Sequence, residues 1–354
     1  MIGKTEKQKK LVLIILGALV LIFLGAGIYT LTKQNKTDET SGEQEVTNDD
    51  EEEQTEEDNT IKIVDLNSNS RPIAVMINNH NEARPYQSGI MDAYLVYEMQ
   101  VEAGITRLMA VFKDKDTTRI GSVRSARHTY LDYVMENDAI YVHYGWSYVA
   151  EAQVPQLGIN NINGLYDNYF WRDSSLPVAY EHTAFTSMAK IKEAIANKGY
   201  RNTTEKDTLL NYVASEVDLS ANEKGVAANT VTLTFSSATQ TMFKYDSTNQ
   251  NYQRYVNGKI TYDYLYNKVV TFKNIIAIKV NNWTMSNTTL QDFDNLGEGD
   301  GYYITDGYST PIKWYKESRS SQTVYKDLSG NEIEVNDGNT YIGIIPLSNS
   351  FAIN

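Results

Sequence analysis

Residues 102–145, EAGITRLMAVFKDKDTTRIGSVRSARHTYLDYVMENDAIYVHYG, decide how the folded part of this chain is built. Residues 105–112 are rich in β-forming side chains, which predicts a strand. Ser122 precedes apolar residues at helical spacing, so we expect it to cap a helix that ends near Asn137. Residues 139–143 are apolar and predict a second strand. The stretch is therefore predicted to be a strand–loop–helix–strand unit.

The same alternation of strands and helices continues on both sides of this unit. Residues 73–77 and 92–101 predict strands, and the second of these pairs with 105–112 through a turn at Gly104. Residues 148–157 and 187–197 predict helices. Strands mixed with helices in this way indicate an α+β or α/β N-terminal domain over residues 61–205.

The helical signals nearly vanish after residue 225. Eight segments between 230 and 345 read as short strands, and Asn-Gly, Asp-Gly and Ser-Gly pairs lie between several of them. Residues 225–354 are therefore predicted to form a mostly β C-terminal domain, with a small barrel or sandwich as the expected architecture.

The first 60 residues differ in character from the rest. Residues 11–31 form a near-continuous apolar run, and about 20 such residues are enough to span a bilayer. Four lysines within residues 1–10 predict a cytoplasmic segment before a transmembrane signal anchor over 11–32, which puts residues 33–354 outside the cell membrane. A cleaved signal peptide is the alternative, but the apolar run is long for one. Residues 33–60 predict an acidic disordered linker.

Composition excludes several classes of protein. The net charge of −13 argues against nucleic acid as a partner, because binding phosphates requires a basic surface. The absence of cysteine excludes disulfides, thiolate metal sites and an acylated cysteine. No phosphate-binding loop, dinucleotide fingerprint or nucleophile elbow is present, so no cofactor is expected.

The strongest local hypothesis is an anion site at the predicted helix start. Arg124 and Arg127 lie three residues apart and would share one helical face, where free backbone N–H groups favour an anion. Arg107, from the preceding strand, could reach the same place. The alternative is that these arginines pair internally with Glu98, Glu102 or Asp132. The candidate ligand-binding residues are Asn78, Arg107, Gly121, Ser122, Arg124, Ser125 and Arg127.

Catalytic candidates are weaker. Glu98 and Glu102 are four residues apart in a predicted strand and would face the same side, as a carboxylate pair for glycan hydrolysis requires. His143 and His182 lie at predicted element ends, where sites tend to collect. A metal site combining these histidines with His80 lacks a zinc signature, so no metal is predicted.

Four segments in order resemble the YerB family of bacterial extracytoplasmic proteins: RPIAVMINNHNEARPYQSG (71–89), VYEMQVEAGITRLMAVF (96–112), GSVRSARHTYLDYVMENDAIYVHYGWS (121–147) and EHTAFTS (181–187). Residues 296–346 are similar to the C-terminal domain of that family. The resemblance implies a two-domain protein outside the membrane and supplies no reaction. Members are often lipoproteins, whereas this chain has no cysteine to acylate and a predicted anchor in its place.

Two functions follow as expectations. The first is a membrane-anchored binding or scaffold protein of the cell envelope, engaging an anionic wall component or a partner protein through the loop around Arg124. The alternative is a hydrolase of wall glycan or peptide, with the acidic and histidine candidates as its catalytic groups.

Overall fold

The structure is a computed structural model that describes residues 60–221 and 225–354. The predicted cytoplasmic segment, transmembrane anchor and nearly all of the acidic linker lie outside these residues. Among the described helices, none has the length and apolar character needed to cross a bilayer.

Helices are few in the described part of the chain. The α-helices are α1 (Leu131–Glu136), α2 (Tyr148–Gln156) and α3 (Met188–Lys198). Single 3-10 turns occupy Arg84–Tyr86, Ile90–Asp92, His128–Tyr130 and Tyr180–His182.

Strands dominate the rest. The strands up to residue 213 are β1 (Ile73–Asn78), β2 (Leu95–Gln100), β3 (Thr106–Phe112), β4 (Ile120–Gly121), β5 (Ile140–His143), β6 (Asn161–Asn163), β7 (Trp171–Arg172), β8 (Ala184–Thr186) and β9 (Tyr212–Val213). The strands from residue 226 are β10 (Val226–Ala227), β11 (Thr230–Thr234), β12 (Gln240–Asp246), β13 (Asn251–Val256), β14 (Lys259–Ile260), β15 (Tyr262–Asp263), β16 (Lys268–Val269), β17 (Thr271–Phe272), β18 (Asn274–Val280), β19 (Asn282–Thr284), β20 (Gln291–Phe293), β21 (Gly297–Thr305), β22 (Tyr308–Lys316), β23 (Val324–Lys326), β24 (Val335–Asn336), β25 (Thr340–Pro346) and β26 (Phe351–Ile353).

One eleven-stranded sheet runs through both halves of the described chain. Its order is β10-β22-β21-β18-β25-β2-β3-β1-β5-β6, with β23 paired to β22. Strand β25 lies between β18 and β2 and is parallel to both. The C-terminal strands β18, β21, β22 and β25 therefore extend the N-terminal sheet. The prediction that residues 225–354 are mostly β is confirmed, whereas the expected small barrel or sandwich is wrong for these four strands.

Alternating side chains cover the two faces of this sheet. Val75 and Ile275 belong to the core cluster that also contains Leu233 and Phe243 of the second, six-stranded sheet β14-β13-β12-β11-β26, to which β17 pairs. Helix α3 joins the same core. On the opposite face, residues such as Met76 pack with helices α1 and α2. The central sheet is thus buried on both sides, which explains its nearly continuous apolar strands.

Most elements predicted for the N-terminal region are confirmed. Strands β2, β3 and β5 lie within the predicted segments, and β1 extends one residue beyond its segment, to Asn78. Strands β2 and β3 form the predicted antiparallel hairpin. In α3, the Ser187 hydroxyl accepts a hydrogen bond from the Lys190 N–H, and Gly199 ends the helix at a φ of 64°. Both features are common helix caps that depend only on local sequence.

The helix predicted to start at Ser122 is wrong, because α1 begins only at Leu131. The backbone that follows Ser122 forms hydrogen bonds to neighbouring strands instead. The Val123 N–H donates to the Ala184 carbonyl at 2.7 Å, and the Arg124 N–H donates to the Met76 carbonyl at 2.9 Å. These tertiary hydrogen bonds outweigh a weak local helix preference. The free N–H groups and helix dipole expected at this position are therefore absent from it.

Candidate functional site

Four parts of the chain meet at the end of the central sheet where the parallel strands β1 and β5 terminate. The C-terminal end of β1 approaches the turn that ends at His182, because Asn78 Nδ2 lies 2.7 Å from His182 Nδ1. The segment after β4 approaches the same turn through Arg124, whose Nη2 lies 3.2 Å from a Glu181 carboxylate oxygen. That segment also contacts the loop after β5, since the Ser125 hydroxyl donates to the Tyr144 carbonyl at 3.0 Å. Asn78, Arg124, Ser125 and His182 therefore lie close together, although no helix begins there.

Two of the three candidate arginines are held by Glu102. Arg127 donates from Nε at 2.7 Å and from Nη2 at 2.5 Å, one bond to each carboxylate oxygen. Arg107 donates from Nη2 to the same carboxylate at 2.9 Å, and its Nη1 donates to the Ser125 carbonyl. This is the internal pairing considered as the alternative to an anion site. It leaves Arg107 and Arg127 with structural partners.

The pKa values in this cluster follow its burial. Loss of solvent lowers the pKa of Arg107 to about 9, and the neighbouring positive charge of Arg127 adds to that effect. Burial acts to raise the pKa of Glu102, but the hydrogen bond from Arg127 and the charges of both arginines lower it. Glu102 is therefore an ionised anchor for the two guanidinium groups.

Glu98 lies in a second, fully buried charge cluster between the two sheets. Its carboxylate accepts from Arg254 Nη2 and the Tyr341 hydroxyl, each at 2.8 Å. Further donors come from Thr106, Thr241 and Asn79. Neither member of the Glu98–Arg254 pair is more than 1% exposed. A polymer could not reach this carboxylate, so the predicted carboxylate pair is not arranged for glycan hydrolysis.

Gly121 and Ser122 serve packing. Gly121 has a φ of 147°, and a Cβ there would lie 2.8 Å from the Phe185 ring and 2.9 Å from the Ala184 carbonyl. Only glycine permits this close approach of β4 to β8. Ser122 is fully buried beside it. Both residues were predicted to contact a ligand, and neither has a surface with which to do so.

Arg124 and Ser125 line an open cleft of about 320 Å³. The other lining residues are Val123, Tyr144, Gly145, Trp146, Leu165, Arg172, Tyr180 and Glu181. The Arg124–Glu181 ion pair at its rim is exposed, with 27% and 59% of the two side chains accessible. Such pairs contribute only about 0–1 kcal/mol, so a ligand can replace Glu181 as the partner of Arg124 at little cost.

Arg172 is a second cation in the cleft, and the sequence analysis did not select it. Its guanidinium carbon lies 4.3 Å from the centroid of the Tyr144 ring and 4.1 Å from that of Tyr180. Its Nη1 donates to the Tyr180 carbonyl at 2.6 Å. The two rings hold the guanidinium by cation–π contacts. The aromatic residues at 166–171, just before Arg172, were the available sequence signal. They do not show that Arg172 would lie in the same cleft as Arg124.

His143 is not part of the cleft surface. It is fully buried between Tyr141 and Trp146, with its Nδ1 donating to the Gly145 carbonyl at 2.8 Å. Burial lowers the pKa of His143 to about 4. His143 is therefore a neutral, enclosed imidazole at the end of β5, where its hydrogen bond holds the turn at Gly145.

His182 instead joins two residues of the loop after β1. The rings of His80 and His182 stack with their centroids 5.0 Å apart, and Glu82 Oε2 lies 3.7 Å from His182 Nε2. One ligand atom from each of the three residues lies within 4.8 Å of the others. Burial, together with the charges of Arg124 and His80, lowers the pKa of His182. Glu82 was missed by the sequence analysis, although its two-residue separation from His80 was a visible signal.

The described residues match known families over most of their length. Residues 60–201 match the family described as "Protein of unknown function (DUF3048) N-terminal domain", and residues 231–342 match the "Protein of unknown function (DUF3048) C-terminal domain". The chain is 32% identical over 279 residues to "Putative lipoprotein YerB" of Bacillus subtilis (strain 168), a match that covers 78% of this chain and 81% of that protein. The crystal structure of YerB protein from Bacillus subtilis has a TM-score of 0.69 at 30% identity, covering 80% of this chain and 94% of that chain. The resemblance found in the sequence is thereby confirmed.

Proposed function

Because this chain belongs to the YerB-like family that carries the two DUF3048 domains, we propose that it is a binding protein of the bacterial cell envelope. Its ligand would be an anionic wall component held in the cleft between Arg124 and Arg172. Residues 11–32 would anchor it in the membrane, and residues 33–60 would extend the folded part toward the wall. The YerB relative is named as a lipoprotein, which supports an extracytoplasmic position held by a membrane attachment.

The observation that carries the proposal is the chemistry of the cleft. Two guanidinium groups line it, and both are partly open to solvent. Tyr144, Trp146 and Tyr180 supply aromatic faces beside them. Arginine forks onto carboxylate and phosphate groups, and aromatic rings provide flat apolar surfaces for sugar rings. An anionic glycan presents both kinds of group at once.

The same cleft favours binding over hydrolysis. Hydrolysis of a glycosidic bond requires acidic side chains that reach the bond. Among the lining residues only Glu181 is acidic, and it is engaged with Arg124. The catalytic candidates Glu98 and His143 are both fully enclosed.

The test is retention of the full-length protein on isolated, protein-free bacterial wall material. Arg172→Ala removes one cleft cation and its stacking, so we expect retention to fall about tenfold, the equivalent of about 1.4 kcal/mol. Lys313→Ala is the matched control, because Lys313 is an exposed cation of the distant strand β22 that forms an ion pair with Asp300 of β21. Equal loss in both variants would indicate nonspecific charge attraction and would contradict the proposal.

A second readout separates binding from catalysis. Soluble sugar or peptide fragments should not accumulate when wall material is incubated with the wild-type protein. Fragment release that is abolished by Glu181→Gln would replace the binding proposal with the hydrolase.

A further inference from the structure

We propose that His80, Glu82 and His182 form a binding site for a divalent transition metal ion, with Zn²⁺ as the best fit. Two imidazole nitrogens and one carboxylate oxygen are a common three-ligand set for zinc, and the fourth position is then open to water or a ligand. The proposal concerns metal binding alone and does not depend on anion binding in the cleft.

The three side chains are brought together by tertiary structure. His80 and Glu82 lie in the loop between β1 and the 3-10 turn Arg84–Tyr86, and His182 ends the turn Tyr180–His182. One ligand atom from each of the three lies within 4.8 Å of the others. Ligand atoms around one tetrahedral Zn²⁺ lie about 3.4 Å apart at metal–ligand distances of about 2.1 Å, so binding requires the side chains to move closer by at most about 1.4 Å.

The burial of the three side chains is suited to a preformed metal site. The side chain of His182 is 5% exposed and that of Glu82 is 53% exposed, so the ligands form a gradient from the interior to solvent. His80 Nδ1 is shielded from solvent and has no hydrogen-bond partner among the described residues. A buried polar nitrogen without a partner is costly, and coordination by a metal would satisfy it.

Asn78 orients the innermost ligand. Its amide nitrogen lies 2.7 Å from His182 Nδ1, and its amide oxygen accepts a hydrogen bond from the His80 N–H at 3.1 Å. Metal-bound histidines usually donate their second ring N–H to an oxygen acceptor. To supply one while Nε2 binds metal, the Asn78 amide has to turn and give up the bond from the His80 N–H.

The position of Asn78 predicts that one substitution strengthens metal binding. In Asn78→Asp both side-chain oxygens are acceptors, so one keeps the His80 N–H and the other receives the His182 Nδ1–H. We therefore expect Asn78→Asp to bind Zn²⁺ about tenfold more tightly than the wild type.

The experiment is Zn²⁺ binding by the full-length protein, followed by calorimetry and by the visible absorption of Co²⁺ as a substitute. Wild type should bind one ion at this site. Glu82→Gln should weaken binding by about 100-fold, the upper end for changes around a metal. Glu193→Gln is the control, because Glu193 is an exposed carboxylate of helix α3 and is not part of the cluster. It should change the affinity by less than about twofold, far below the roughly 10–100-fold loss that follows changes to groups that hold a metal's ligands.

The outcomes are distinguishable. Any background binding by the acidic linker, residues 33–60, is common to all variants, because none of the substitutions lies in it. Equal affinity in wild type, Glu82→Gln and His182→Ala would overturn the proposal. So would a Co²⁺ absorption band that is unchanged by Glu82→Gln, an exposed substitution that leaves the fold intact.

Discussion

The clusters around Glu98 and around Arg124 use the same chemistry at opposite levels of burial. Arg254 and Glu98 form an ion pair in which neither side chain is more than 1% exposed. Arg124 and Glu181 form an ion pair whose side chains are 27% and 59% exposed. The closed pair has five donors around one carboxylate, whereas the open pair can exchange its partner. Burial therefore separates charges that hold the fold from charges that remain free for a ligand.

Removing the closed carboxylate should have the largest effect. Glu98→Gln leaves the Arg254 guanidinium buried without a counter-charge, which typically costs about 3–5 kcal/mol. We expect that loss in the free energy of unfolding, measured by denaturant titration. The double variant Glu98→Gln/Arg254→Met removes both charges and should recover part of it. A loss below about 1 kcal/mol for the single variant would show that the cluster is not a structural centre.

His143 provides a pH test of the buried side. Its pKa is lowered to about 4 in the fold, against about 6.5 when unfolded. The unfolded chain therefore takes up a proton that the folded chain does not, so stability is lost as the pH falls from 6.5 to 4. The loss should be about 3 kcal/mol from this residue.

Carboxylates also titrate between pH 6.5 and 4, so the pH dependence of the unfolding free energy has to be compared with that of a reference variant. In His143→Gln the residue at this position cannot titrate, and the decrease in unfolding free energy over that pH range should be correspondingly smaller. Parallel slopes for wild type and variant would contradict the enclosed, neutral imidazole.

Glu102 lies between the two extremes. Its side chain is 19% exposed and receives hydrogen bonds from both Arg107 and Arg127. Glu102→Gln should lower the free energy of unfolding by about 2 kcal/mol, since hydrogen bonds to charged groups contribute about 1.5–3 kcal/mol each and solvent screens part of this. Thermal unfolding of the variant beside Glu98→Gln checks the order. If Glu102→Gln were the more destabilising, burial would not be the controlling variable.

The smallest effect on stability is expected at the cleft. Arg124→Ala breaks an exposed pair, so the unfolding free energy should change by less than about 1 kcal/mol. Denaturant titration at neutral pH measures this change. A loss comparable to that of Glu98→Gln would make Arg124 a structural residue and remove the basis for a ligand-exchangeable cation.

Local sequence was sufficient for elements that depend on neighbours in the chain. The β2–β3 hairpin and the capped helix α3 were predicted because turns, caps and periodicity are local signals. The helix expected at Ser122 failed because the preference there is weak and strands β1 and β8 supply stronger backbone partners. The pairing of β2 with β25, which joins the two halves, has no local signal, since paired residues such as Leu95 and Thr340 are 245 residues apart.

The site was predicted only in part, because its contacts also join residues that are far apart in the sequence. The sequence indicated a group of arginines near a loop, but it could not show that Arg107 and Arg127 would share Glu102 while Arg124 stayed open. Asn78 and His182 are 104 residues apart, so their contact with each other was equally hidden. Partner choice among charges is set by the fold, and composition alone does not determine it.

The most direct test of this account is the retention on isolated wall material of a full-length variant carrying Arg124→Ala and Arg172→Ala. Its control carries Lys192→Ala and Lys313→Ala, which remove the same charge from exposed pairs outside the cleft. The account predicts that the cleft variant loses retention while its unfolding free energy stays close to that of the control. Undiminished retention of the cleft variant would contradict the claim that the open charges, rather than the closed ones, serve the ligand.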